Sequence, residues 1–199
     1  MVENILKALS KFMDEQELTG PLSRALSLFL DNRIVSAGNL RSVLGEDYID
    51  TMLLAFEWKM IIPFSPTKTC AWEDRLLVSI SSDRYEIPEA VLYVVREAAV
   101  QAEWRVEKGL IKLFYDTETV IHPDKMLGIF RKIVDSSKFG TVSGRDIVHC
   151  CREQGLPGAA DQIIAVFKGL GIISPKLSPV GMISLGSGPL YEVNPSLCV

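Results

Sequence analysis

The sequence predicts a mainly α protein with small β wings, built as two similar units joined by a long helix. Three observations carry that reading. Apolar residues recur at helical spacing along much of the chain. One order of helices and strands occurs twice. And 199 residues, 48% of them hydrophobic and 23% charged, suit two small domains and are too apolar for a disordered chain.

The first elements are helical. Ile5, Leu6, Leu9, Phe12 and Met13 form one stripe of an amphipathic leading helix over residues 3–17, and Thr19-Gly20-Pro21 reads as the break after it. Residues 1–20 are therefore set apart from a first unit at 21–85. That unit opens with a helix carrying Leu22, Ala25, Leu26, Phe29 and Leu30. Ser36 is a good N-cap for a short helix through Leu40, Val43 and Leu44 that stops at Gly45. Glu46 and Asp47, favourably placed at the positive end, lead a third helix through Tyr48, Ile49, Met52, Leu53 and Phe56. After Ile61-Ile62-Pro63 the pattern turns irregular, and Leu76, Leu77, Val78 and Ile80 read as a strand.

Residues 120–199 repeat this order. Val35-Ser36 and Leu40 correspond to Val142-Ser143 and Ile147; Met52-Leu53, Phe56 and Ile61-Ile62 correspond to Ile163-Ile164, Phe167 and Ile172-Ile173. Met182 to Leu185, Gly186-Ser187-Gly188-Pro189 and Leu190 to Val193 read as strand, turn and strand. In this order of elements the chain resembles the winged helix-turn-helix superfamily, over roughly residues 21–85 and 120–195. The resemblance is one of fold, with no family-specific motif, and implies the architecture without any binding residues.

Between the units, residues 86–119 predict one connecting helix from Ile87-Pro88 to about Tyr115. Val91, Leu92, Val95, Ala99, Trp104, Val106, Leu110, Ile111, Leu113 and Phe114 make its apolar face broad, and Gln101, Arg105, Lys108 and Lys112 leave only a narrow polar stripe. Such a helix needs cover on several sides, from the two units or from its counterpart in a dimer.

No catalytic constellation is legible. His149-Cys150-Cys151 places three potential ligands together, but adjacent helical side chains diverge by about 100°, and structural zinc draws spaced pairs from two places in the chain; no metal and no cofactor are expected. Only His122 and His149 could serve as bases, and neither lies in a nucleophile motif. Gly169-Leu170-Gly171 lacks the third glycine of a dinucleotide fingerprint and follows a helix, and Gly186-Ser187-Gly188 lacks the P-loop lysine. Cys70, Cys150, Cys151 and Cys198 read as reduced thiols, and the charged N-terminal residues and absence of an 18-residue apolar run point to a cytoplasmic chain that does not enter membranes.

Charge then separates the binding classes. The net charge is -4, against the basic footprint of a dedicated nucleic-acid binder. The third helix of the first unit carries Glu46, Asp47, Asp50 and Glu57 against Lys59, a surface that phosphates repel. Residues 120–199 alone are net positive, with eight Lys/Arg and six Asp/Glu. There Lys125, Arg131, Lys132, Lys138, Arg145 and Arg152 are the candidate nucleic-acid-binding residues. The expectation is a non-enzymatic regulatory or assembly protein that contacts a protein partner or a second copy of itself; the alternative is a DNA-binding transcriptional regulator using the C-terminal unit, with only weak, sequence-indifferent binding allowed by its charge.

Overall fold

In a computed structural model, which describes residues 1–65, 71, 72, 74, 82–176 and 188–199, the chain is mainly helical with two small antiparallel sheets. Its elements are α1 (Val2–Leu9), α2 (Gln16–Leu28), β1 (Ile34–Ser36), α3 (Ala37–Leu44), α4 (Tyr48–Glu57), β2 (Ile62–Pro63), β3 (Arg84–Glu86), α5 (Glu89–Gln101), α6 (Val106–Asp116), α7 (Pro123–Ser136), β4 (Thr141–Ser143), α8 (Gly144–Glu153), α9 (Ala160–Leu170), β5 (Ile173–Pro175) and β6 (Leu190–Val193). Among the described residues no helix is long and apolar enough to cross a membrane. The expected strands at Leu76 to Ile80 and Met182 to Leu185, the turn residues Gly186 and Ser187, and Cys70 lie outside the described residues.

Local signals place several helix ends where the sequence puts them. The Ser36 hydroxyl accepts the Asn39 N–H at the start of α3, and Gly45 ends the helix at φ 57°. Ser143 opens α8 in a reciprocal capping box with Asp146, each side chain accepting the other residue's backbone N–H. Both sheets have the same strand order, β1-β3-β2 and β4-β6-β5. Val35 pairs with Tyr85 in the first, as Val142 pairs with Tyr191 in the second. The buried Tyr85 hydroxyl lies 3.0 Å from that of Tyr48, tying β3 to α4.

Two expected boundaries are corrected. The leading helix does not reach residue 17: it ends at Leu9, where the Lys11 and Phe12 N–H groups bond back to Ala8 and Leu9 and fold Phe12 and Met13 under the helix. The supposed breaker Thr19-Gly20-Pro21 lies inside α2. Pro21 forfeits one helical hydrogen bond, and burial of its ring beside Leu22, Ala25 and Leu26 offsets that loss.

The long connecting helix is likewise two helices. α5 stops at Ala102, which takes the left-handed conformation (φ 56°), and α6 begins at Val106 and packs back on α5. Trp104, in the connection, donates its indole N–H to Ser196 O at 2.8 Å, and Lys112 of α6 pairs with the nearly buried Glu97 of α5. Gly109 lets the backbones approach: a Cβ there would stand 2.8–2.9 Å from Val94 side-chain and backbone atoms. The broad apolar face is thus covered in part by the hairpin itself, with α1 packed on α5 and α7 on α6.

One continuous core runs from Ile5 through Leu26, Tyr85, Val95 and Phe114 to Phe167 and Leu197. Phe114 stacks on Phe167 with centroids 5.8 Å apart. Phe56 is also buried, but in a separate small cluster with Ile62 and Trp72. The two sheet-bearing segments meet at Asn194, which is fully buried. Its amide donates to Lys59 O (3.2 Å) just past α4 and to Gly171 O (3.1 Å) just past α9.

Candidate functional site

The outer faces of α4 and α8 are the candidate surfaces. In α4 the buried residues are Tyr48, Thr51, Met52, Leu54, Ala55 and Phe56, which turns Ile49, Asp50, Leu53 and Glu57 outward, with Glu46 in the turn before them. Ile49 is 53% and Leu53 43% exposed. The helix therefore presents two large aliphatic side chains among carboxylates. Lys59, the one cation that follows it, is turned away, its ammonium 4.2 Å from the centre of the Phe56 ring and 3.9 Å from Glu192.

In α8 the packing of Ile147, Cys150 and Cys151 against the core sends Arg145, Val148, His149 and Arg152 outward, where with Asp146 they line a depression of about 420 Å³. Burial holds the Cys150 thiol above its ordinary pKa and raises that of Cys151 to about 11; both are protonated at neutral pH and poor nucleophiles. His149 points away from them, 3.2 Å from Glu153. His122 caps α7, accepting the Asp124 N–H. Among the described residues no three His, Cys, Asp or Glu side chains are grouped to hold a metal ion.

The six basic residues singled out in the sequence do not act as one set. Arg131, on α7, is held by both Glu107 oxygens of α6 at 2.6 Å, and the guanidinium pulls that carboxyl below its usual range. Lys132 pairs with Glu153 of α8 at 2.6 Å, which likewise depresses the Glu153 carboxyl. Lys125 on α7, Lys138 in the turn before β4, and Arg145 and Arg152 on α8 form no ion pair among the described residues. Of these, Arg145 and Arg152 share one helix face, seven residues apart.

α9 is poor in charge on its exposed side, where Asp161, Gln162 and Ala165 lie. The exposed aliphatic pair of α4 went unread in the sequence, where Ile49 and Leu53 count as part of the helical stripe. Their outward direction follows from which turn of α4 faces Tyr85 and the core, a tertiary choice.

A cleft of about 60 Å³ separates the ends of the two sheets, lined by Arg33, Trp72, Glu89, Lys168 and Ser174 among others. Arg33 and Glu89 are paired across it at 3.0 Å, and the Trp72 N–H donates to Ser174 Oγ at 3.0 Å. That volume is well below the roughly 300 Å³ at which ordinary ligand pockets begin.

The molecule is thus mainly helical with small antiparallel sheets, and its distinctive chemistry lies on exposed helix faces. The chain belongs to the protein family whose model matches residues 11–199, everything from just past α1 to Val199. No curated protein and no solved structure matches it.

Proposed function

We propose that this chain is a non-enzymatic regulatory or assembly protein that recognises protein through two winged-helix-like units. The order helix, strand, helix, helix, strand, strand supports two such units. It runs α2-β1-α3-α4-β2-β3 and again α7-β4-α8-α9-β5-β6, with equivalent serine caps at Ser36 and Ser143. The two units share one core and join through Asn194.

The observation that carries the reading is the outer face of α4. In a winged helix the third helix is the one that enters the major groove. Here it offers exposed Ile49 and Leu53 with Glu46, Asp50 and Glu57. Each carboxylate about 7 Å from a phosphate would repel it by roughly 0.6 kcal/mol even in bulk water, whereas exposed aliphatic residues suit a protein contact.

The alternative reading, DNA binding by the C-terminal unit, draws support from Arg145 and Arg152 on one face of α8. Titration of labelled duplex, the host's own upstream region included, decides between them. We expect weak binding that vanishes at physiological salt and that the double variant R145E/R152E abolishes. Sequence-specific nanomolar affinity at physiological salt would overturn protein recognition in favour of DNA.

A further inference from the structure

Asp50, Leu53 and Glu57 of α4 stand at i, i+3 and i+7, and so do Arg145, Val148 and Arg152 of α8. All six are exposed, Val148 40% so. None of the four charges has an ion-pair partner among the described residues. Each triad therefore sets an aliphatic side chain between two like charges, opposite in sign in the two helices, and the Asp146 carboxylate beside Arg145 is engaged by the Ser143 N–H and hydroxyl in the α8 cap.

We infer that the α4 face of one copy of this chain docks on the α8 face of another. Seven residues span about 10.5 Å of helix, so the carboxylates and the guanidinium groups have the same axial spacing. Laid antiparallel, Asp50 meets Arg152 and Glu57 meets Arg145. Leu53 and Val148, each three residues on from the first charge, then fall on the same side of the seam, offset by about 1.5 Å along the axis. His149 and Ile49 extend the contact on either flank. Parallel alignment would put Leu53 and Val148 on opposite sides, so the antiparallel order is the one that joins aliphatic and charged contacts.

The two faces are different surfaces of the same chain, so the contact is head-to-tail: each copy uses its α4 on one neighbour and its α8 on another, giving open chains or a closed ring. Like charges facing each other in any α4-to-α4 or α8-to-α8 contact exclude the symmetric alternatives. This inference rests on the reading of α4 as a protein-recognition face and names the partner.

Sedimentation velocity on the full chain tests it, at concentrations up to about 0.5 mM and in about 50 mM and about 500 mM salt. The wild type should rise above its 22.1 kDa monomer mass with concentration at low salt, with the association constant at least about tenfold lower at high salt. D50R/E57R and R145E/R152E should each remain monomeric with unchanged circular dichroism, and their equimolar mixture should associate again, because each supplies the charge the other lost. A wild type that is monomeric throughout, single-face variants that associate as the wild type does, or a mixture that stays monomeric would overturn the inference. A monomeric wild type that also binds DNA only weakly sinks the self-docking and leaves recognition of another protein standing, whereas nanomolar DNA binding sinks that reading itself.

Discussion

Gly109→Ala sets two effects of known size against each other. Gly109 lies inside α6, where replacing glycine by alanine gains about 1 kcal/mol in helix propensity. Against it, the new methyl carbon would sit 2.8 Å from Val94 Cγ2 and 2.9 Å from both Val94 Cα and N, where carbon contacts normally rest at about 3.5–4.0 Å. Two of those neighbours are backbone atoms and cannot rotate away, so α5 and α6 must separate by roughly 0.7 Å or more along their contact.

The two helices to be separated carry Val94, Val95, Leu110 and Leu113, all buried to within a per cent. A gap of that size forfeits a quarter to a half of each dispersion well, and overpacking of this kind costs about 1–3 kcal/mol, with backbone clashes at the upper end. Packing therefore wins, and the net effect is a loss of about 1–2 kcal/mol. For a chain of this length that lowers Tm by roughly 2–8 °C. Gly169→Ala is the control: it is also helical, and a Cβ there meets nothing within 4 Å, so it should gain about 0.5–1 kcal/mol. Urea unfolding of the two variants and the wild type measures both. If Gly109→Ala is as stable as the wild type or more so, α5 and α6 do not pack face to face at Val94 and the hairpin is wrong.

Two further changes probe the buried polar groups. Asn194→Ala should cost about 2–4 kcal/mol in urea unfolding, because it strips a donor from the partly buried Lys59 O and Gly171 O and an acceptor from the buried Ser196 N–H and hydroxyl; a loss below about 1 kcal/mol would mean that the two segments are not joined there. The Cys151 thiol, raised from 9.0 to about 11 by burial, keeps in the folded state a proton that the unfolded chain releases near pH 9. Its contribution is therefore complete below that pH and fades as pH rises toward about 11. The stability advantage of the wild type over Cys151→Ala should shrink by about 2–3 kcal/mol between about pH 8 and pH 11, and a constant difference across that range would show Cys151 to be in contact with water.

What the sequence by itself determined is local. The serine cap at Ser36, its counterpart at Ser143 and the glycine stop at Gly45 act through the backbone of their own few residues, and the structure places them as read. Net charge and the acidic run from Glu46 to Glu57 likewise need no partner to be counted. Tertiary contact decided what periodicity leaves open. Residues 87–115 carry no glycine or proline near Ala102 to stop a helix, and one straight helix would satisfy the backbone equally well; the hairpin forms because folding α6 onto α5 buries both apolar faces and delivers the Trp104 indole to Ser196. Pro21 stays helical because its ring is buried. The division of the basic residues, with Arg131 and Lys132 taken up by Glu107 and Glu153 and Arg145 and Arg152 left on a bare face, depends on carboxylates 24 and 21 residues distant from their partners. Spacing along a chain fixes which residues share a helix face, but which face meets solvent is set by the neighbouring helices that cover the other one.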